Sequence, residues 1–147
     1  MTDETKRFPL RTILSVTTGR LLTKPRDEHD NGIGDLYELL GWMTDDSPMT
    51  HQLPRFNDEC KPWLLRWFPE LQAARDSLWV LDEKVATLGI LRGIEFWLTN
   101  LQLNGLQAEY DVPRIPADDH ERKHPFDELV AMRGTDEGII IVKEPNQ

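Results

Sequence analysis

The sequence predicts a compact α+β fold that is mainly α-helical and is finished by a small C-terminal β-strand or sheet. Three observations carry this. Apolar residues recur at helical spacing through most of residues 8–104. The clearest β-branched run, Gly138 to Lys143, is flanked by glycine and Pro145 and reads as a strand. The 147 residues, 39% of them hydrophobic, suffice for one core and leave little room for a second domain. The chain therefore divides into a frayed terminus (1–7), a helical core (8–104), and a crossing segment, short helix and terminal strand (105–147).

In the first segment, Leu10, Ile13 and Leu14 match helical spacing, although Val16, Thr17 and Thr18 are β-branched and disfavour a helix. A short helix ending at Gly19 is expected, followed by a charged loop from Lys24 to Gly32. The densest stretch is Gly32 to Leu71, which holds three of the five tryptophans and the only cysteine. Leu36, Leu39, Leu40 and Met43 share one helix face, and Asp35 suits the positive end of the helix dipole. Asp45, Asp46, Ser47 and Pro48 read as a turn. Cys60, Leu64, Trp67, Phe68 and Leu71 then repeat at helical spacing. Asn57 or Asp58 would cap that second helix, Pro62 would sit near its start, and Pro69 would end it.

From Leu78 to Leu101 an apolar stripe runs in steps of three and four, as one helix or as two with a break near Asp82. Gly89 and Gly93 lie inside it, either permitting a close backbone approach or simply weakening the helix. Asn104 and Gly105 form a stop signal. Residues 106–125 are punctuated by proline. Pro125 to Met132 reads as a short helix with Phe126, Leu129 and Val130 inward. The terminal strand needs a partner, either residues 110–115, an edge strand because of Pro113, or a second copy of the chain in a homodimer.

Composition excludes several function classes. A net charge of −9 argues against broad nucleic-acid binding, which needs clustered positive charge. No 18-residue apolar run exists to span a membrane, and the N-terminus lacks the pattern of a secretory signal. One cysteine cannot form an internal disulfide and fits a reducing cytoplasm. Charge is uneven: residues 1–26 carry a net +4 and the remainder −13. The basic arm either docks on the acidic body or binds a small anion.

Four constellations are candidates for chemistry. His120-Glu121-Arg122-Lys123-His124 matches the HExxH zinc-peptidase pattern, but that chemistry needs both histidines on one face of a stable helix. Pro116 and Pro125 leave too little room for one, so a solvated loop is expected, with no metal and no cofactor. His51 and Cys60 are the only pair suggesting nucleophilic catalysis; Asp58 and Glu59 oppose thiolate formation, and a buried thiol beside a turn-pinning histidine is the simpler reading. Thr18, Arg20, His51, Gln52 and Arg55 could gather around a small anionic ligand such as a nucleotide signal. Trp42, Trp63 and Trp67 could form a protein interface or stack a base, helix packing being the commoner outcome.

The segments LSVTTGRLL (14–22), GDLYELLGWMTDD (34–46), THQLPR (50–55) and ECKPWLL (59–65) resemble a family of small, functionally uncharacterised proteins. Those proteins are encoded mainly by bacteriophages, including phages of actinobacteria, and by related mobile elements. The resemblance is strongest over residues 8–71 and continues weakly through DVPRIPADDHE (111–121) and HPFDEL (124–129). Its members usually carry aspartate where His124 stands, which further weakens the zinc reading. The resemblance implies a setting, the cytoplasm of an infected bacterium, and brings no catalytic residues with it. The leading expectation is a phage accessory protein that binds and modulates a host or anti-phage defence protein. A small-molecule binder and a His51/Cys60 enzyme are the alternatives.

Overall fold

A computed structural model describes residues 4–23 and 32–133. Within them lie seven α-helices and a two-stranded antiparallel sheet, an α+β architecture dominated by helix. The expected loop from Lys24 and the terminal strand at Gly138 to Lys143 fall wholly or largely outside the described residues.

Thr5–Pro9 is not frayed but forms β1, paired antiparallel with β2 at Glu109–Pro113. Phe8 faces Tyr110 in the register, and Phe8, Tyr110 and Val112 are the residues of this pair that enter the core. The outer positions are charged: Arg7 reaches both Asp111 (3.0 Å) and Glu109. The partner of β2 is thus the chain's own N-terminus. The strand was hidden because a single apolar residue, Phe8, is all its burial requires.

Helix α1 (Leu10–Thr18) ends as expected at Gly19, whose φ of +75° is the left-handed conformation that glycine adopts without strain. Its β-branched residues are tolerated because the helix is buried almost all round, and tertiary packing outweighs propensity. It packs on α2 (Gly34–Thr44), α3 (Leu53–Trp67) and α4 (Leu71–Asp76). The core there is built from Ile13, Leu14, Leu39, Phe56, Leu64 and Leu71.

Helix α3 begins earlier than the sequence suggests, with Pro54 rather than Pro62 in its first turn. Pro62 lies inside the helix, where it removes the bond to the Asp58 carbonyl. Both residues are exposed, so that carbonyl can turn to water, which is why the helix survives. Pro69 acts as expected: Phe68 leaves helical geometry and α3 ends at Trp67.

The stripe from Leu78 to Leu101 is two helices, with the break at Gly89 and not at Asp82, and a further short helix, α4, precedes it. Ser77 separates α4 from α5 (Leu78–Leu88), and Gly89, at φ +92°, separates α5 from α6 (Ile90–Leu103). Gly93 has the close-approach role: a Cβ there would lie 2.6 Å from the Val85 backbone. The indole of Trp97 is fully buried and donates to Ser77 Oγ at 3.0 Å, fixing α6 to the α4–α5 junction. Among the described residues no helix is long and apolar enough to cross a membrane.

Helix α7 (Pro125–Arg133) exists, but its burial differs from expectation. Phe126 is exposed, Leu129 and Val130 are half-buried, and the residue that goes fully inward is Glu128.

Candidate functional site

The polar residues singled out from the sequence converge only in part. His51, Gln52 and Arg55 fall on the turn at Thr50–Gln52 and the first turns of α3. Gln52 Oε1 accepts from the Met49 amide at 2.9 Å, capping that turn from within. Its amide nitrogen donates to Glu128 Oε1 (2.8 Å) and to the Lys123 carbonyl (3.2 Å). His51 Nε2 donates to the Pro125 carbonyl at 2.7 Å.

Arg55 holds Glu128 in a two-pronged pair, Nε to Oε2 at 2.6 Å and Nη2 to Oε1 at 2.9 Å. Its remaining Nη1 donates to Glu59 Oε2 (2.9 Å) and to the Glu121 carbonyl. The planar guanidinium suits this fork, and such charge-assisted pairs are stronger than neutral ones. The Arg55 hydrogen bonds hold the Glu128 carboxyl down; burial works against them, the Gln52 amide adds to them, and the group settles at about 2. Arg55 is pushed up correspondingly, first by its bonds to Glu128.

His120 corrects the solvated-loop expectation. Its side chain is buried, ring edge-on to Phe56 with centroids 4.8 Å apart. Nε2 meets Asp46 Oδ2 at 2.8 Å and Nδ1 meets Glu59 Oε1. Two carboxylates against one imidazole require a proton in each contact, on the ring or on a carboxyl. Burial alone would raise Asp46, but bonds from His120 and the Ser47 amide, with the charge of Arg122, leave it lowered. Arg122 completes the fastening by donating to the Asp45 carbonyl at 2.8 Å. Asp45 itself adopts φ +54° as the C-cap of α2, which exposes that carbonyl. Residues 120–124 contain no helix, so the two histidines of the HExxH string share no helix face. Among the described residues no cluster of three or more His, Cys, Asp or Glu is arranged to hold a metal ion.

The arrangement is a polar fastener. It straps the segment from His120 to Glu128 across the α2–α3 turn, and its cations are matched by carboxylates within the chain. Thr18 and Arg20 stand apart from it. The Thr18 hydroxyl donates to the Leu14 carbonyl in its own helix, and Arg20 forms a two-pronged pair with Asp82 of α5. Among the described residues no hydrogen bond or ion pair joins Thr18 or Arg20 to His51, Gln52 or Arg55. His51 and Cys60 do not form a dyad either. Burial, and secondarily the charge of Glu59, push the fully buried Cys60 thiol up to about 12, far from a reactive thiolate.

Sequence reasoning missed Asp46, Glu59, His120 and Glu128 as members of this cluster. The available signal was weak: a glutamate at a helix position that otherwise invites an apolar residue, and a histidine that drew attention for the wrong chemistry.

Two surfaces remain. On α3, Trp63 and Trp67 lie with ring centroids 5.5 Å apart, and the exposed Arg66 guanidinium sits 5.1 Å over Trp63. Trp42, grouped with them in sequence, is used elsewhere in the fold. Its Nε1 donates to the Val112 carbonyl at 2.8 Å and Arg114 stacks on its face at 3.8 Å. It joins α2 to β2 and offers no stacking site. The second surface is a groove of about 510 Å³ along α6, where the exposed Leu88, Leu91, Phe96 and Leu103 alternate with Arg92 and Glu95.

A family model for a domain of unknown function (DUF7736) matches residues 8–74, somewhat under half of the chain. No curated protein and no solved structure matches the chain. The matched stretch holds one side of the fastener, Asp46, His51, Gln52, Arg55 and Glu59; the strap from His120 to Glu128 lies beyond it.

Proposed function

We propose that this chain is a non-enzymatic binding protein. In this reading it is a phage accessory protein in the cytoplasm of an infected bacterium, docking on a host or anti-phage defence protein through the Trp63–Arg66–Trp67 row of α3. The row is the observation that carries the reading. Tryptophan and arginine are the side chains most enriched among residues that dominate binding energy, because each presents a large, stiff, amphipathic surface. Here two half-buried indoles lie tilted at 40° to one another with the Arg66 guanidinium over Trp63, at positions i, i+3 and i+4 of a helix rooted in the core through Phe56, Cys60 and Leu64. Such a rigid platform loses little side-chain entropy on binding. The setting comes from the resemblance of the segments at residues 14–22, 34–46, 50–55 and 59–65.

The test is capture of bacterial proteins from a host lysate by the immobilised chain, compared with Arg66→Glu and Trp63→Ala variants. The reading expects a discrete captured protein with wild type and its loss with both variants, while their circular dichroism is unchanged. Equal capture by wild type and both well-folded variants would refute it.

A further inference from the structure

We propose that His120 is a proton-operated latch: residues 116–124 lie against the α2–α3 turn while both ring nitrogens carry protons, and lift off when one proton is lost. The segment is anchored at both ends. Before it, Ile115 is buried and its amide donates to the Met43 carbonyl of α2 at 2.9 Å; after it, Glu128 is pinned by Arg55. Between these anchors a single side chain is buried, that of His120, which is 2% exposed. Residues 116–124 bury no apolar side chain. The hydrophobic effect therefore contributes little to holding the segment down, and its docking rests on polar bonds.

A neutral imidazole has one donor and one acceptor nitrogen, so it can satisfy only one of two ionised carboxylates. Here Nε2 faces Asp46 Oδ2 at 2.8 Å and Nδ1 faces Glu59 Oε1. Every packed element contributes a charge. Asp46 comes from the end of α2, and Glu59 comes from α3 with Arg55 on its other oxygen. The segment itself supplies Arg122, 3.6 Å from Asp46, and α7 supplies Glu128, which Arg55 takes up. Glu59 Oε2 also accepts from the Glu121 amide at 3.1 Å. Burial pushes the Asp46 carboxyl up, yet its bonds from His120 and the Ser47 amide leave it lowered, so the proton of that contact belongs to the ring.

As pH rises, the ring gives up one proton to water. One of its nitrogens then turns a lone pair toward a carboxylate oxygen within hydrogen-bonding distance, in a site that water barely reaches. The bond is lost and two acceptors are left facing one another. With no buried apolar side chain to resist, the segment lifts, and the part of Phe56 that His120 packs against is bared. The Arg55–Glu128 pair does not follow. Bonds from Arg55 hold the Glu128 carboxyl at about 2 and Arg55 is pushed up in return, so both stay charged and α7 remains moored.

Nuclear magnetic resonance on the full chain tests the latch by following the His120 ring and the backbone amides from mildly acidic to mildly alkaline pH. As the ring loses its proton, protection of the Glu121 amide from hydrogen exchange should fall by about tenfold or more beyond the intrinsic effect of pH, while amides of β1 and α6 keep theirs. Asp46→Asn distinguishes a latch from a merely structural contact. Asparagine keeps the Oδ1 that accepts from Ser47 and offers Nε2 a donor, which a neutral ring accepts. In that variant the segment should stay down while the ring titrates, and in His124→Gln the wild-type transition should persist. If Asp46→Asn fails to fold, the wild-type titration decides. A ring that keeps one protonation state throughout, Glu121 protection that ignores the ring's titration, or an unshifted transition in folded Asp46→Asn would overturn the proposal. So would a transition that vanishes with His124→Gln. The Trp63–Arg66–Trp67 row lies outside the latch, so capture from a lysate and this titration can fail independently.

Discussion

Replacing Glu128 by glutamine probes the fastener at its centre. The substitution keeps size and one carbonyl acceptor but removes the charge that Arg55 grips at 2.6 and 2.9 Å. The Glu128 side chain is 7% exposed, so water gives Arg55 little in exchange. The fall of the carboxyl from 4.5 to about 2 corresponds to about 3 kcal/mol in favour of the ionised, paired form. Removing one partner of a buried pair costs about 3–5 kcal/mol when the other is left uncompensated. Arg55 keeps Glu59 and the Glu121 carbonyl, so the expected loss is smaller, about 2–3 kcal/mol. Urea denaturation followed by circular dichroism measures it, and the matching fall in Tm is roughly 5–10 °C for a chain of this size. A loss below about 0.5 kcal/mol, the range of exposed ion pairs, would refute the reasoning. The sign with pH follows from the lowered carboxyl. Stability from Glu128 is fully present above its unfolded value near 4.5 and drains away as pH falls toward about 2. The glutamine variant should lack that part of the acid-dependent loss.

Other substitutions read out other parts of the fold. Gly93→Ala places a methyl group 2.6 Å from the Val85 backbone, which cannot yield as a side chain would; a loss of about 1–3 kcal/mol or more is expected by urea denaturation. Pro62→Ala restores a helical hydrogen bond at an exposed site and should stabilise the chain by about 1–3 kcal/mol in the same assay. Cys60, fully buried and pushed up to about 12, should resist a disulfide reagent at mildly alkaline pH until denaturant is added.

The helical core was legible because its apolar residues repeat at the helix period, and Gly19 and Pro69 mark ends by backbone geometry that needs no tertiary information. Pro62 misled because its usual place is a first turn; Pro54 already occupies that place, and exposure of Asp58 makes the interior proline tolerable. The break near Asp82 was misplaced because the apolar stripe continues past Gly89 while the chain turns beneath it. The strand at Thr5–Pro9 gave no alternation strong enough to see. His51, Gln52 and Arg55 stood out in the sequence, but their purpose did not. Their partners Pro125 and Glu128 lie more than 70 residues away in a proline-marked segment, and side-chain pairing over that separation leaves no periodic trace.

The most direct test of the docking reading is the affinity of a captured partner for wild type, Arg66→Glu and Cys60→Ser, measured by isothermal titration calorimetry. A chain that works by docking should lose about tenfold or more in affinity, roughly 1.4 kcal/mol, on Arg66→Glu and nothing on Cys60→Ser. Unchanged binding by Arg66→Glu, with loss on Cys60→Ser in a folded protein, would contradict it and return attention to the buried thiol.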